Sequence, residues 1–388
     1  ASALTANAAV ATCGKALRWS LGVSLLQSMP CDALEPNVIS YNSSISACER
    51  AGTWPRAVQL LRDMAARDVA PTTASFNSSM STAEKGAQWE LALQLFPDMA
   101  SEDLSPSVVT FGASIAACEK AGTWERAVQL FSTMPSARIT PDVISLSSSI
   151  SACGRSSQWQ RALLLLTETA CRHKIVPNLI AYSAAISACE KGGEWTAALQ
   201  LRADMSLARI LPDVICWNAC ISACEKGGYW QTALWLFSLL ATSQCLSPTV
   251  VSFNATISAC VEGGAWQWAI ELLSKMQKAK ASPDVVSFSA GISACEQQGR
   301  WREALSLLSD MEVAKVLPGS ITFNAAVGAC ARMGFWQRAL GLSSRMATAS
   351  LQPNMTTWTC CVNASETALQ WHAASYLLLG MPLDELTT

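Results

Sequence analysis

Charge is scarce in this chain of 388 residues. Only 14% of its residues are Asp, Glu, Lys or Arg, and the formal net charge is −2. The isoelectric point is near 5.8. That balance excludes a surface that holds nucleic acid through bulk positive charge. It does not say where the cations sit. Histidine is scarcer still. His173 and His372 are the two present, and they are far apart in sequence, so no Ser/His/Asp or Cys/His catalytic arrangement is expected. No apolar run reaches the ~18 residues that a membrane span needs, although 51% of the chain is hydrophobic. A membrane is therefore not an expected partner. Glycine-rich phosphate loops are absent. Cys216, Cys220 and Cys224 stand at i, i+4 and i+8 with no evident fourth ligand, so they read as core thiols rather than a metal site. Neither a catalytic residue, nor a cofactor, nor a small-molecule substrate is expected.

One residue type recurs with a fixed step. Trp19, Trp54, Trp89, Trp124, Trp159, Trp195, Trp230, Trp266, Trp301, Trp336 and Trp371 follow one another every 35 residues, or every 36 in two places. A constant period of this size marks one supersecondary unit copied along the chain. Each copy then contacts its neighbours, and length counts copies rather than domains. Begun just after a proline-containing junction, the units are 3–37, 38–72, 73–107, 108–142, 143–178, 179–213, 214–249, 250–284, 285–319, 320–354 and 355–388. They form a single array over 1–388. Proline stands second to last in the first ten, from Pro36 to Pro353, where it stops the preceding helix. The first unit occupies the start of the chain, so no targeting peptide is expected within it.

Inside a unit the pattern is a helical hairpin. Tyr41, Ile45 and Cys48 fall on one helix face, Gly52 marks a turn, and Trp54, Ala57, Val58, Leu61 and Met64 form a second apolar stripe. Serine or threonine is third in most units, as in Ser40, Ser75, Thr110, Ser145, Ser252, Ser287 and Thr322, which predicts an N-cap there. The tryptophans read as core packing. Nine of the sixteen cysteines share one slot: Cys13, Cys48, Cys118, Cys153, Cys189, Cys224, Cys260, Cys295 and Cys330. Equivalent slots on stacked helices are ~8–10 Å apart, beyond disulfide reach. Small core residues in a reducing compartment are the expectation.

The strings Pro141-Asp142-Val143-Ile144-Ser145, Pro283-Asp284-Val285-Val286-Ser287-Phe288 and Val38-Ile39-Ser40-Tyr41-Asn42, with Ala57, Leu60 and Met64 following, resemble the pentatricopeptide repeat. The resemblance covers essentially the whole chain. It departs from the family in the tryptophan that opens each second helix. It implies an all-α solenoid of helix-turn-helix repeats wound into a right-handed superhelix. It also implies single-stranded RNA as partner, read one base per repeat, together with RNA-processing proteins. The setting it implies is an organelle, mitochondrion or chloroplast, where the array acts on RNA processing, stability or translation. Members that edit RNA carry a zinc deaminase motif, and none occurs here.

By this resemblance the base readers are the fifth residue of each unit and its last, and the second residue, usually Ile or Val, sandwiches the base. Asn7 with Asn37 resembles a pyrimidine reader, Asn42 with Thr72 a weaker one, and Asn77 with Ser107 a cytosine-leaning one. Gly112 with Asp142 lacks one side chain. Ser147 with Asn178 resembles an adenine pair, and Ser183 with Asp213 a guanine pair. Asn218 with Thr249 resembles a pyrimidine pair, and Asn254 with Asp284 the uracil pair. Ser289 with Gly319 is ambiguous, and Asn324 with Asn354 again suggests a pyrimidine. The implied target is 5′-Y-Y-C-(G)-A-G-Y-U-N-Y-3′. Residue chemistry points to the same slot. Asn and Ser are poor helix-interior residues, yet they persist five residues into each unit with groups that both donate and accept.

A second pattern lies eight residues on. Lys15, Arg50, Lys85, Lys120, Arg155, Lys191, Lys226 and Arg332 occupy equivalent positions, broken only by Glu262, Gln297 and Thr367. Stacking would draw them into a line of charge beside the bases, as a tracked RNA backbone demands. If all eight met phosphates, the salt slope could reach about −5 to −6. Adjacent glutamates such as Glu49, Glu84 and Glu119 should reduce it. Two other readings stay open: a protein-interaction scaffold using the groove, and the binding part of an enzyme whose catalytic domain lies outside these residues.

Overall fold

A computed structural model of the chain describes residues 3–16, 18–29, 36–172, 175–243, 246–279, 281–349 and 351–368. Trp371, His173 and His372 lie outside them, as do the side chains of Asn7 and Lys15. The fold is all-α, and no strand occurs among the described residues. First helices such as Val38–Ala51, Thr73–Lys85, Val143–Arg155 and Val285–Gln297 alternate with second helices such as Trp54–Ala66, Trp89–Ser101 and Trp301–Val313. The chain forms two compact bodies. One comprises Ala1–Gly192 with Leu207–Ile210, the other Gly193–Ser206 with Leu211–Thr388. Within each body every first helix packs on the next first helix, and second helices such as Trp54–Ala66, Trp89–Ser101 and Trp301–Val313 sit between their own first helix and the following one. This is the nearest-neighbour packing of a solenoid. No described helix is long and apolar enough to cross a membrane.

The start of each first helix is set by the junction. The cap is the residue after the proline, not the Ser or Thr three places further on as the sequence pattern predicts. Asn37, Thr72, Ser107, Asp142, Thr249, Asp284 and Asn354 are extended in backbone, and their side chains accept from the backbone N–H three residues later. The Ser or Thr at that third position completes a reciprocal box by accepting the cap residue's own N–H. Both residue types suit an N-cap, so composition alone misplaces the start by three residues. The geometry resolves it, because helical backbone already begins at Val38 and its equivalents.

The turn between paired helices needs one left-handed residue. Gly52, Gly122, Gly193, Gly228, Gly264, Gly299 and Gly334 supply it with φ between 64° and 76°. Ala87 and Ser157 hold the same slot at φ 53° and 56°, a conformation that costs an L-residue ~1–2 kcal/mol. A tryptophan opens each described second helix. These ten rings are half-buried rather than fully inside the core as expected. They lie against the end of the next first helix. A Cβ added at Gly86 would stand 2.5 Å from Trp54 Cδ1, and side chains at Gly192, Gly227 and Gly263 would likewise collide with Trp159, Trp195 and Trp230. Each ring therefore seats one repeat on the next. The buried core pairs one aromatic with small and aliphatic residues: Tyr41 with Ile45, Cys48, Ala57 and Met64 in one repeat, Phe288 with Ile292, Cys295, Ala304 and Met311 in another.

Candidate nucleic-acid interface

One face of the first helices stays open while the rest is packed. Its second residues form an aliphatic row: Ile39, Val109, Ile144 and Ile180 in one body, Ile215, Val251, Val286 and Ile321 in the other, each 57–75% exposed. Leaving that much branched aliphatic surface in water has no packing benefit. The described fifth residues are half-buried, apart from Ser147, which is buried, and Thr359, which is exposed. A cleft of about 400 Å³ brings three of the singled-out positions together. Ile39, Asn42 and Arg50 line it, with Ser43, Ser46 and residues of the two flanking first helices. Its size falls in the range of ligand clefts. A second cleft, of about 460 Å³, is lined by Arg332, Glu296, Gly328, Cys360, Asn363 and Glu366.

The fifth residue of one repeat and the last residue of that repeat meet at a corner. The chain places them thirty residues apart, and the junction brings the last residue beside the fifth as the cap of the next first helix. Asn42 Nδ2 donates to Thr72 Oγ1 at 3.3 Å and Asn77 Nδ2 to Ser107 Oγ at 3.4 Å. Asn254 Nδ2 donates to Asp284 Oδ1 at 3.2 Å, and Asn324 Nδ2 to Asn354 Oδ1 at 3.2 Å. Asp284 is ionised in this setting. Burial opposes its charge, but the Ser287 backbone N–H, the Ser287 hydroxyl and Asn254 together hold the carboxyl below the usual aspartate value. As an acceptor only, it suits a base edge that presents a donor.

Other corners differ. Ser147 donates to its own helix at Ile144 O, 2.9 Å, and is only 8% exposed. Asn178 and Asp213 cap their helices by accepting from Ala181 N and Cys216 N. Ser183 donates to Ile180 O. Ser289 donates to Val285 O and also meets Thr322 Oγ1 at 2.9 Å, where Gly319 offers no side chain. Gly112 leaves its corner open. In the Asn218 corner the Ser252 hydroxyl donates to Asn218 Oδ1 at 2.6 Å.

The line of cations is not free. Lys120 Nζ lies 2.9 Å from Glu84, Lys85 Nζ lies 4.0 Å from Glu49 and donates to its carbonyl at 2.8 Å, and Arg155 lies 3.9 Å from Glu119. These three cations thus pair with the glutamate one repeat earlier. Arg332 donates to Gln297 O at 3.4 Å. Burial pushes the Glu119 carboxyl above its usual value while Arg155 pulls it back. Burial does the same to Glu296, opposed by Arg332. The sequence shows glutamate beside five of the eight cations, Arg50, Lys85, Lys120, Lys191 and Lys226. It hides the pairing across repeats, which arises only when helices stack.

The cysteine slot is chemically quiet. Cys48, Cys118, Cys153, Cys189, Cys224, Cys260, Cys295 and Cys330 are buried and form no disulfide. Burial raises the Cys153 thiol to about 11 and those of Cys260 and Cys295 to about 12, so these thiols stay protonated and unreactive near neutral pH. Cys216, Cys220 and Cys224 are likewise buried, and no metal-holding cluster occurs among the described residues.

Repeated helical hairpins with polar corners at several junctions, as at Asn42 with Thr72 and Asn254 with Asp284, define a helical-repeat array. Models of the pentatricopeptide repeat domain match residues 24–85, 94–156 and 165–227. Models of the PPR repeat family match 248–296 and 283–332, and of the PPR repeat 215–245 and 321–348. The chain belongs to the pentatricopeptide repeat family. Among solved structures it is similar to PPR10 in complex with an 18-nt psaJ RNA element, with TM-score 0.63, 18% identity, and 97% of this chain and 59% of that one covered. It is also similar to PPR10 from maize, with TM-score 0.52, 20% identity, and 97% and 63% covered. The chain spans about three-fifths of the length of those proteins. No curated protein matches it.

Proposed function

We propose that this chain is a sequence-selective, non-catalytic array that binds single-stranded RNA with one base per repeat. The observation that carries the proposal is the cleft shared by Ile39, Asn42 and Arg50. It joins an exposed aliphatic side chain to cover a base face, an amide to read an edge, and a cation within reach of a phosphate. Repeat-type readers use two or three side chains per base in this way. The RNA-bound solenoid to which the chain is similar supports the same reading. The repeat units begun after each junction proline are the proposed counting frame, with implied target 5′-Y-Y-C-(G)-A-G-Y-U-N-Y-3′. The organellar setting, with a role in RNA processing, stability or translation, rests on family membership alone.

The paired cations alter the electrostatic expectation. At Lys85, Lys120 and Arg155 a phosphate must displace or share a cation already facing a glutamate, so the salt slope falls short of the ~0.7 per cation that eight free contacts would give. The test is fluorescence anisotropy with a ten-nucleotide RNA of the implied sequence, against a scrambled RNA, the matching DNA and a salt titration. Tight, salt-sensitive binding that prefers the implied RNA is expected. A folded chain with no RNA binding at low salt would overturn the proposal and direct the search to a peptide in the groove.

A further inference from the structure

The corners contain a third member. Six repeats carry Asn in fifth place: Asn7, Asn42, Asn77, Asn218, Asn254 and Asn324. In every one the third residue of the next repeat is a hydroxyl: Ser40, Ser75, Thr110, Ser252, Ser287 and Thr357. Two later repeats lack that hydroxyl, having Ala181 and Cys216 instead, and the residues that precede them in fifth place are Ser147 and Ser183. Asn in fifth place therefore never occurs without the hydroxyl 33 or 34 residues on, although the hydroxyl also follows Gly112 and Ser289, at Ser145 and Thr322.

The geometry gives the reason. Ser75, Thr110, Ser252, Ser287 and Thr357 each donate to the preceding Asn Oδ1 at 2.6 Å. All five are fully buried. Their hydroxyl oxygens are already occupied as acceptors by the cap residue's backbone N–H, at 3.0–3.2 Å. The single hydroxyl proton has the amide as its shortest contact; the cap side chain also lies within reach, Asp284 Oδ1 and Asn354 Oδ1 at 2.8 Å and the Thr72, Ser107 and Thr249 hydroxyls, which can donate instead, at 3.0–3.1 Å. The relay from backbone N–H to hydroxyl to Oδ1 thus decides which end of the amide faces inward. An asparagine side chain is nearly symmetric in shape but opposite in chemistry at its two ends. A flip would exchange the donor and the acceptor offered to a base.

Resting on the RNA-binding reading above, we infer that the third-place hydroxyl of each following repeat is a positioning residue that sets base specificity by fixing the polarity of the preceding Asn. The effective reader is three residues drawn from two repeats. The hydroxyl matters most where the cap is itself Thr or Ser, as at Thr72 and Ser107, because that hydroxyl can donate or accept and imposes no polarity of its own. It matters less at Asp284, whose carboxylate only accepts and so holds Asn254 Nδ2 unaided.

The test compares two serine-to-alanine changes. Ser75→Ala removes the hydroxyl behind Asn42. Ser145→Ala removes the same capping-box hydroxyl behind Gly112, where there is no amide to orient. Both should lower the melting temperature by similar amounts. Ser75→Ala alone should reduce the preference for a pyrimidine over a purine at the second nucleotide, by about tenfold, with other positions unchanged. Ser287→Ala should reduce uracil preference at the eighth nucleotide by less. The gain experiment uses the corner of Ser147, Asn178 and Ala181. Ser147→Asn with Ala181→Ser should turn the fifth nucleotide from adenine to pyrimidine, and Ser147→Asn alone should give weak preference. Unchanged discrimination in folded Ser75→Ala, or a full switch by Ser147→Asn alone, would overturn the inference while leaving RNA binding intact. Loss of all RNA binding in the unaltered chain would instead overturn the functional reading beneath it.

Discussion

The two ends of a first helix handle polarity in opposite ways. At the amino end of Val285–Gln297, Asp284, Ser287 and the incoming Asn254 form a corner of short hydrogen bonds, with the serine fully buried. At the carboxyl end of Val108–Ala121, Lys120 meets Glu84 as a pair in which both side chains are more than a quarter exposed. Bonds of the first kind are directional and expensive to leave unmade. Pairs of the second kind are worth ~0–1 kcal/mol and are screened by salt. On the proposed RNA-binding reading, the difference would let one short helix separate two tasks: choosing the base at one end and holding the backbone, without regard to sequence, at the other.

Several changes would break or sharpen that contrast, taken from the largest effect downward. Ile292 is fully buried midway between the two ends. Ile292→Ala should destabilise the fold by about 2–5 kcal/mol, weakening selectivity and salt dependence together. Denaturant unfolding followed by anisotropy would check it. Asn254→Ala should act at one end only. It should cost about 1–3 kcal/mol of discrimination at the eighth nucleotide with an unchanged salt slope; a uniform loss across RNA sequences would contradict the division of labour. Ala87→Gly touches neither end. It relieves the left-handed strain of the turn and should stabilise by about 1 kcal/mol, leaving base preference alone.

The carboxyl end should respond in charge alone. Lys120→Gln should lower the salt slope by at most about 0.7, equally for every RNA. Glu84→Gln should raise affinity slightly at low salt by freeing the lysine. The smallest effect concerns pH. Asp284 has its carboxyl held below the ordinary aspartate value, so its contribution to stability is present above the unfolded pKa and is lost as pH falls through the folded one. Asp284→Asn should flatten that acid limb in a melting series. An unchanged limb would show that the corner bonds are not made to the ionised form.

Much of this was legible in the sequence because each feature repeats. The period, the hairpin, the glycine turn and the cysteine slot all follow from the side-chain pattern of single repeats. Interactions across repeats were not. Thr or Ser next to a junction looks like a cap whichever residue caps, so the helix start was set three residues late at Ser40 and its equivalents. The half-buried tryptophans read as core because their glycine seats lie in the following repeat. The glutamates looked like neighbours of the cations in sequence, whereas their partners are one repeat away. One signal was available: Asn in fifth place never occurs without a hydroxyl third in the next unit. Its meaning required the 2.6 Å bonds.

The most direct test of base readout is a single substitution at the best-formed corner. Asn254→Ser leaves Asp284 and Ser287 in place and makes the pair resemble that of Ser183 and Asp213. Binding should be measured to four RNAs that differ only at the eighth nucleotide. A move of preference from uracil to guanine at that nucleotide, with the other nine unaffected, is the predicted result. Preference that stays put, or shifts elsewhere along the RNA, would contradict one-base-per-repeat reading at this corner.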